Sequence, residues 1–232
     1  MSAHDGQGWV KMLPQGEFEL PVELERWRKM RDSEIPADAV ARMDRANEEL
    51  DRSRVTDHVV RTGERAPKFE LPNAFGVAVS LDELLEKGPV VISFYRGTWC
   101  PFCNLEQRAL QQQLPRIAEL GASLVAISGM TPDNSLTMAE RLHLTYEVLT
   151  DAGLAVARSY GLVFELPDYL QETYEQLGHP VTRFNGTTDQ TLPVPGTFVV
   201  DRAGRIRFAY TNANYMHRAD PLDVIRTLEE LD

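Results

Sequence analysis

Two cysteines, Cys100 and Cys103, stand three residues apart directly behind the run Pro89-Val90-Val91-Ile92-Ser93-Phe94-Tyr95, and the 232-residue chain has no others. The run is apolar and β-branched, and its length suits a strand buried on both faces. Arg96-Gly97-Thr98-Trp99 is then a short loop, and Pro101 suits the first turn of a helix, where its missing N–H costs nothing. Leu105, Ala109, Leu110, Leu114, Ile117 and Leu120 continue that helix, and Gly121 ends it. Pro115 is expected to kink or divide it. This arrangement seats Cys100 at a helix N-terminus, where unpaired N–H groups and the positive end of the dipole favour a thiolate. Arg96 adds positive charge, and a thiol of lowered pKa is a nucleophile near neutral pH. Cys103 lies one turn on, on the same face, so the pair can close a small disulfide once one sulfur is oxidised. The plainer reading is two small buried hydrophobes at a helix start; the placement behind a buried strand argues for redox chemistry.

Two cysteines cannot build a disulfide framework. A zinc site needs about four ligands; the CxxC supplies two, and His4, His58, His143, His179 and His217 are scattered. No metal and no cofactor is expected. Lys plus Arg number 24 and Asp plus Glu 35, a net charge of −11, so phosphate backbones and anionic membranes are repelled. No run reaches the roughly 18 apolar residues of a membrane helix, and Met1–Lys11 has no apolar signal core, so the expected location is the cytoplasm.

From Gly63 onward strand and helix signals alternate. Ala66–Pro72 begins as an extended X-Pro segment, and Ser80–Leu85 is a short helix with Ser80 as N-cap and Glu83 three residues on. Ser123–Ser128 is a second buried strand, parallel to the first and joined to it by the long helix. Asp133 and Ser135 cap a helix to about Leu142. Glu147–Thr150 is a short strand; Gly153–Tyr160 and Asp168–Leu177 are helical. His179–Leu192 is a loop. Thr197–Asp201 and Arg205–Tyr210 form a hairpin around Arg202-Ala203-Gly204, and Asp220-Pro221 opens a last helix to Leu231. The result is an α/β fold with a central mixed sheet flanked by helices. Before it, residues 1–60 form a helical N-terminal extension: Leu20, Leu24, Trp27 and Met30, then Val40, Met43, Ala46 and Leu50, recur at helical spacing on either side of Pro36. This extension either docks on the body formed by residues 61–232 or on a second subunit, which would make a homodimer, or it is a solvated arm. Val194-Pro195 precedes a strand, where a cis bond is expected; facing the CxxC turn, such a loop would shape a groove for a disulfide partner.

Phe94-Tyr95-Arg96-Gly97-Thr98-Trp99-Cys100-Pro101-Phe102-Cys103-Asn104-Leu105-Glu106, with Gly63–Phe69, Thr131–Ser135 and Pro195–Asp201, resembles the peroxiredoxin-like branch of the alkyl hydroperoxide reductase/thiol-specific antioxidant (AhpC/TSA) family over residues 63–231. The resemblance implies a thioredoxin-like fold and a thiol-dependent peroxidase. Such an enzyme reduces hydrogen peroxide or alkyl hydroperoxides, and thioredoxin or a similar dithiol is its reductant. Arg96 stands where the family carries a proline, and no arginine precedes Phe198 in place of the family's distant one. Aligned on the family's peroxidatic segment, Cys103 is the attacking thiol; aligned on the thioredoxin CxxC, it is Cys100. Thr98 and Arg96 are candidates for hydrogen bonding and charge at the sulfur. Trp99, Tyr95 and Pro195 are candidates for contact with substrate or partner, and Asp151 and His217-Arg218 for the border of the pocket. The alternatives are a thiol–disulfide oxidoreductase with little peroxide turnover and a non-enzymatic redox sensor or binding module.

Overall fold

The computed structural model describes residues 12–14 and 16–231; Met1–Lys11 lies outside them. The chain opens with α1 (Leu20–Glu34) and α2 (Ala37–Arg52), separated at Pro36, which is the N-cap residue of α2. After a short 3-10 turn come β1 (Glu70–Pro72) and β2 (Ala78–Ser80), an antiparallel pair. The Asn73 Oδ1 closes their turn by accepting from the Phe75 and Val77 N–H groups, both at 3.0 Å. Helix α3 (Leu81–Lys87) starts as its sequence predicts: the Ser80 hydroxyl accepts from the Glu83 N–H at 3.1 Å.

Next are β3 (Val90–Phe94), every residue buried, and α4 (Pro101–Glu119). The remaining elements are β4 (Ser123–Ser128), α5 (Pro132–Leu142), β5 (Glu147–Thr150), α6 (Ala155–Ser159), β6 (Val163–Glu165), α7 (Asp168–Gln176), α8 (Val181–Asn185), β7 (Thr191–Pro193), β8 (Gly196–Val200), β9 (Ile206–Thr211) and α9 (Pro221–Glu229). The central sheet has the order β5-β4-β3-β8-β9. Strands β3, β4 and β5 run parallel, and β8 and β9 join antiparallel. The sheet is therefore mixed, with β3 at its centre.

Alternation along the strands sorts the core into two layers. Val91, Leu124 and Val199 face Leu110 and Ile117 of α4 and Val224 and Leu228 of α9. Val90, Ile92, Phe94, Val125, Ile127, Phe198 and Val200 point the other way, against Leu81 and Leu84 of α3 and Ala157 of α6. A third cluster lies at the end of β3. There Leu20, Leu24 and Trp27 of α1 and Met43 of α2 pack on Trp99, Phe102 and the cysteines, together with Leu170 and Tyr174 of α7. The two N-terminal helices thus dock on the body of their own chain, directly over the CxxC turn. Polar ties fix them: the Arg28 guanidinium donates to the Met216 carbonyl (3.0 Å), Arg42 to the Thr173 hydroxyl (2.8 Å), and buried Arg31 to Asp44 (2.7 Å).

Several local expectations give way. Helix α4 runs unbroken through Pro115, because that residue lies on the exposed face, where water can serve the carbonyl one turn back. Helix α5 begins two residues earlier than an Asp133 cap would place it, with Thr131 as N-cap residue; Ser135 is buried and faces the Thr150 hydroxyl instead. The segment expected as a loop holds α8 and β7, and β7 pairs with β6. Three-residue strands are too short to display a period of two. No peptide bond among the described residues is cis, so Val194-Pro195 is trans. Pro195 falls between β7 and β8, where no ladder bond is asked of its nitrogen.

Trp27 is 1% exposed. Trp27→Ala should cost about 3–5 kcal/mol, read as a lower urea midpoint at unchanged slope.

Candidate active site

Cys100 is the N-cap residue of α4, with extended backbone (φ −94°, ψ 111°). Its carbonyl accepts from the Cys103 and Asn104 N–H groups, both at 3.1 Å. The loop before it is held from two sides. The Asn104 side-chain amide donates to the Thr98 carbonyl (2.9 Å), and the Thr98 N–H donates to the Met130 sulfur just past β4 (3.2 Å). Gly97 (φ +155°) is required, since a Cβ there would lie 2.4 Å from the Trp99 indole nitrogen. Both cysteines are free thiols, 1% and 0% exposed.

The cation at the sulfurs comes from a distant segment. Arg218 lies three residues before α9 and is 7% exposed. Its Nη2 is 3.3 Å from the Cys103 sulfur and 4.0 Å from that of Cys100. Its other terminal nitrogen donates to Glu106 at 2.6 Å, and the Thr197 hydroxyl on β8 donates to that carboxylate's second oxygen at 3.0 Å. The Arg218 Nε and Nη2 also donate to the Tyr215 carbonyl, at 2.9 and 2.8 Å. The guanidinium is therefore oriented from three directions.

Arg96, 2% exposed, acts differently. Its backbone N–H donates to the Cys103 sulfur at 3.4 Å. Its guanidinium donates to the Tyr174 hydroxyl and sits over three rings, 4.3 Å from the centroid of Tyr215, 4.9 Å from Trp99 and 5.5 Å from Tyr174. Such stacking stabilises a desolvated cation. Burial works against the charge of both arginines, yet the acidic groups around them hold both above their ordinary range.

The two thiols separate accordingly. Burial pushes Cys103 up, but the hydrogen bond from Cys100, the charges of Arg218 and Arg96 and the Arg96 N–H outweigh it, and Cys103 is held well below its ordinary value. Burial also pushes Cys100 up, and its hydrogen bond to Cys103 and the anion on Cys103 push it further, so Cys100 keeps its proton well above the ordinary range. Cys100 has the helix-terminal seat, while the contacts that stabilise an anion converge on Cys103. Burial also raises Glu106, with Arg218 and Thr197 pulling back.

The other expected residues are distributed unevenly. Trp99 walls the cleft beside Cys100, tilted against Tyr174 at 5.4 Å and stacked on His179 at 6.1 Å. Thr98 is buried, and its backbone is what ties the loop. Tyr95 is fully buried and extends β3, its N–H donating to the Ile127 carbonyl at 3.0 Å. Pro195 lines a smaller recess with Arg96, Tyr174 and Tyr215. Asp151 is spent on the start of α6, accepting from the Val156 and Ala157 N–H groups, and His217 is exposed. Sequence reasoning undervalued Arg218 and missed Glu106, Thr197, Tyr174 and Tyr215. Glu106 had a signal: it sits three residues after Cys103, among the apolar positions of α4.

A mixed sheet whose central strand leads into a CxxC at a helix start defines a thiol protein of thioredoxin-like fold. The chain belongs to the AhpC/TSA family, whose sequence profile matches residues 62–209. It is 29% identical over 153 residues to the chloroplastic peroxiredoxin Q of Gentiana triflora, across 66% of this chain and 60% of that protein. It is 26% identical over 179 residues to the one of Oryza sativa subsp. japonica, across 76% and 72%. The chain thus spans about three fifths of the length of the Gentiana relative. The solved structure of peroxidoxin BcpB from Mycobacterium tuberculosis is similar in fold, with a TM-score of 0.59 at 24% identity, covering 75% of this chain and 99% of that one. Helices α1 and α2 and Arg218 all lie outside the matched residues.

The thiol pair gives the stability of the reduced protein a definite pH dependence. With its folded pKa lowered, Cys103 contributes stability that is present above the unfolded thiol value and lost as pH falls through the folded one. Cys100, raised, takes stability away above the unfolded value. Stability should therefore rise with pH up to about 8.5, the ordinary thiol value, and then fall. In a comparison of urea midpoints across pH, Cys103→Ser should lose the rising limb and Cys100→Ser the falling one.

Proposed function

We propose that the chain is a thiol peroxidase in which Cys103 attacks the peroxide and Cys100 resolves. The observation that carries this is the Arg218 Nη2 at 3.3 Å from the Cys103 sulfur: a fixed cation that favours the thiolate and faces the place where negative charge develops on the departing oxygen. The Cys103 thiolate attacks the terminal oxygen of a hydroperoxide, and the O–O bond breaks. Its sulfur takes that hydroxyl and becomes a sulfenic acid, and the other oxygen leaves as alkoxide or hydroxide and takes a proton from solvent to become an alcohol or water. Cys100, whose thiol hydrogen-bonds Cys103, then attacks the sulfenic sulfur. The S–S bond forms, and the hydroxyl leaves as water with the Cys100 proton. An external dithiol returns both sulfurs to the reduced state through a mixed disulfide.

Arg96 acts here as the second buried cation and supplies an N–H to the attacking sulfur. Thr98 positions the loop, and Trp99 shields Cys100. Tyr95 and Pro195 support the walls behind Arg96. No described helix is long and apolar enough to cross a membrane; the cytoplasm, where reducing dithiols are available, suits a pair that must be re-reduced after every turnover.

Stopped-flow oxidation by hydrogen peroxide tests this. Cys103→Ser should abolish the fast phase. Cys100→Ser should retain it and stop at a sulfenic acid detectable by mass. Arg218→Met should slow it by about 10²–10³-fold, the usual effect of removing a charge-stabilising donor. A wild-type rate no faster than that of free cysteine would refute the proposal, and retention of the fast phase in Cys103→Ser would move the attack to Cys100.

A further inference from the structure

Arg218, the cation at the Cys103 sulfur, lies in the connection 212–220 between β9 and α9, which has no helix or strand of its own. A turn around Asn214 shapes it. The Asn214 Oδ1 accepts from the Met216 N–H at 3.1 Å, and the Asn214 carbonyl accepts from the His217 N–H at 3.0 Å. Two neighbouring carbonyls then serve different arginines. The Tyr215 carbonyl accepts from the Arg218 Nη2 at 2.8 Å, and the same Nη2 stands 3.3 Å from the Cys103 sulfur. The Met216 carbonyl accepts from Arg28 of α1 at 3.0 Å. Helix α2 adds to the grip: the Tyr215 hydroxyl donates to the Met43 sulfur at 3.7 Å, and the Asn47 amide approaches the Asn214 side-chain oxygen at 3.5 Å.

We infer that the N-terminal helix pair is a working part of the active site, with Arg28 as a positioning residue: by holding the Met216 carbonyl it sets where the Tyr215 carbonyl and the Arg218 guanidinium stand, and so how closely that cation meets the Cys103 sulfur. This role rests on the reading of Cys103 as the attacking thiol.

Small displacements matter at this distance. Coulomb attraction falls as the inverse of separation, so a retreat of about 1 Å from 3.3 Å removes about a quarter of the pull of Nη2 on a thiolate. Glu106 alone does not prevent such a retreat. It holds the opposite terminal nitrogen of Arg218 at 2.6 Å, and a guanidinium held there can pivot once the Tyr215 carbonyl, which takes Nε and Nη2, moves away. Arg28 is half-buried, and its other contact is Glu25 on its own helix at 3.3 Å, so the bond to Met216 is what it gives to the body of the chain. Coupling of this kind is reciprocal. Whatever the docked helices contribute to the thiolate, the thiolate returns to the helices, and loss of the anion should loosen α1.

Ultraviolet thiolate absorbance against pH, in the full chain carrying Cys100→Ser, follows one thiol. Adding Arg28→Met should raise the Cys103 midpoint by about half to one pH unit, roughly a three- to tenfold change in ionisation. Arg28→Lys, whose ammonium still donates to a carbonyl, should restore most of it. A lower urea midpoint in Arg28→Met with the thiol midpoint unmoved would make α1 a cover only and would overturn the inference. Hydrogen exchange gives the reverse reading with residue 28 intact. At neutral pH the amides of Leu20–Glu34 should exchange about three- to tenfold faster in reduced Cys103→Ser than in reduced wild type. If Arg28→Met does not fold, that comparison decides alone, and equal exchange in the two proteins overturns the inference. Neither measurement uses peroxide. A wild type inert to peroxide but showing both effects would defeat the peroxidase reading alone, and a fast peroxidase showing neither would defeat only the positioning role.

Discussion

Two guanidinium groups lie buried at the end of the central strand, and a buried cation is tolerated only where anions and hydrogen bonds replace its water. Arg218 and Arg96 meet that demand with the Glu106 carboxylate, the Cys103 sulfur, the Tyr174 hydroxyl and the faces of three aromatic rings. The balance works in both directions. The arginines make a thiolate the favoured form of Cys103, and a thiolate at Cys103 makes the two cations tolerable. Oxidation to a disulfide removes that anion and leaves the cations less well matched. The buried charges are thereby better matched with the pair reduced.

The fold serves this balance. Strand β3 is buried on both faces and sets the position at which the CxxC turn begins. The first turn of α4 then places Cys100, Cys103 and Glu106 along one side of the helix, three residues apart. Glu106 and Thr197 hold Arg218 from the sheet side, and the Tyr215 carbonyl holds it from its own segment. The N-terminal helices complete the enclosure. They cover the aromatic box around Arg96, and through Arg28 they tie down Met216, two residues from Arg218. Water kept from the sulfurs strengthens each electrostatic contact among them.

Much of this is legible in the residues. The β-branched run, the proline after Cys100, the Ser80 cap and the Arg202-Ala203-Gly204 hairpin are local signals, and each produces the expected element. What is hidden depends on contacts between segments far apart in the chain. Arg218 and Cys103 are 115 residues apart, and nothing near His217-Arg218 marks that arginine as a buried cation. The ordering of the two thiols is hidden for the same reason. A helix N-terminus favours Cys100 by local rules, and the long-range cation reverses the preference. The short β6–β7 pair and the trans Val194-Pro195 bond likewise depend on what they pack against rather than on their own composition.

The decisive measurement is the ultraviolet thiolate absorbance of the reduced protein followed against pH, in wild type and in each cysteine-to-serine variant. A single ionisation well below the ordinary thiol value, kept in Cys100→Ser and absent in Cys103→Ser, is the expected outcome. Two thiols titrating together near the ordinary value of about 8.5, or a low step that survives in Cys103→Ser, would contradict a buried ion-matched Cys103.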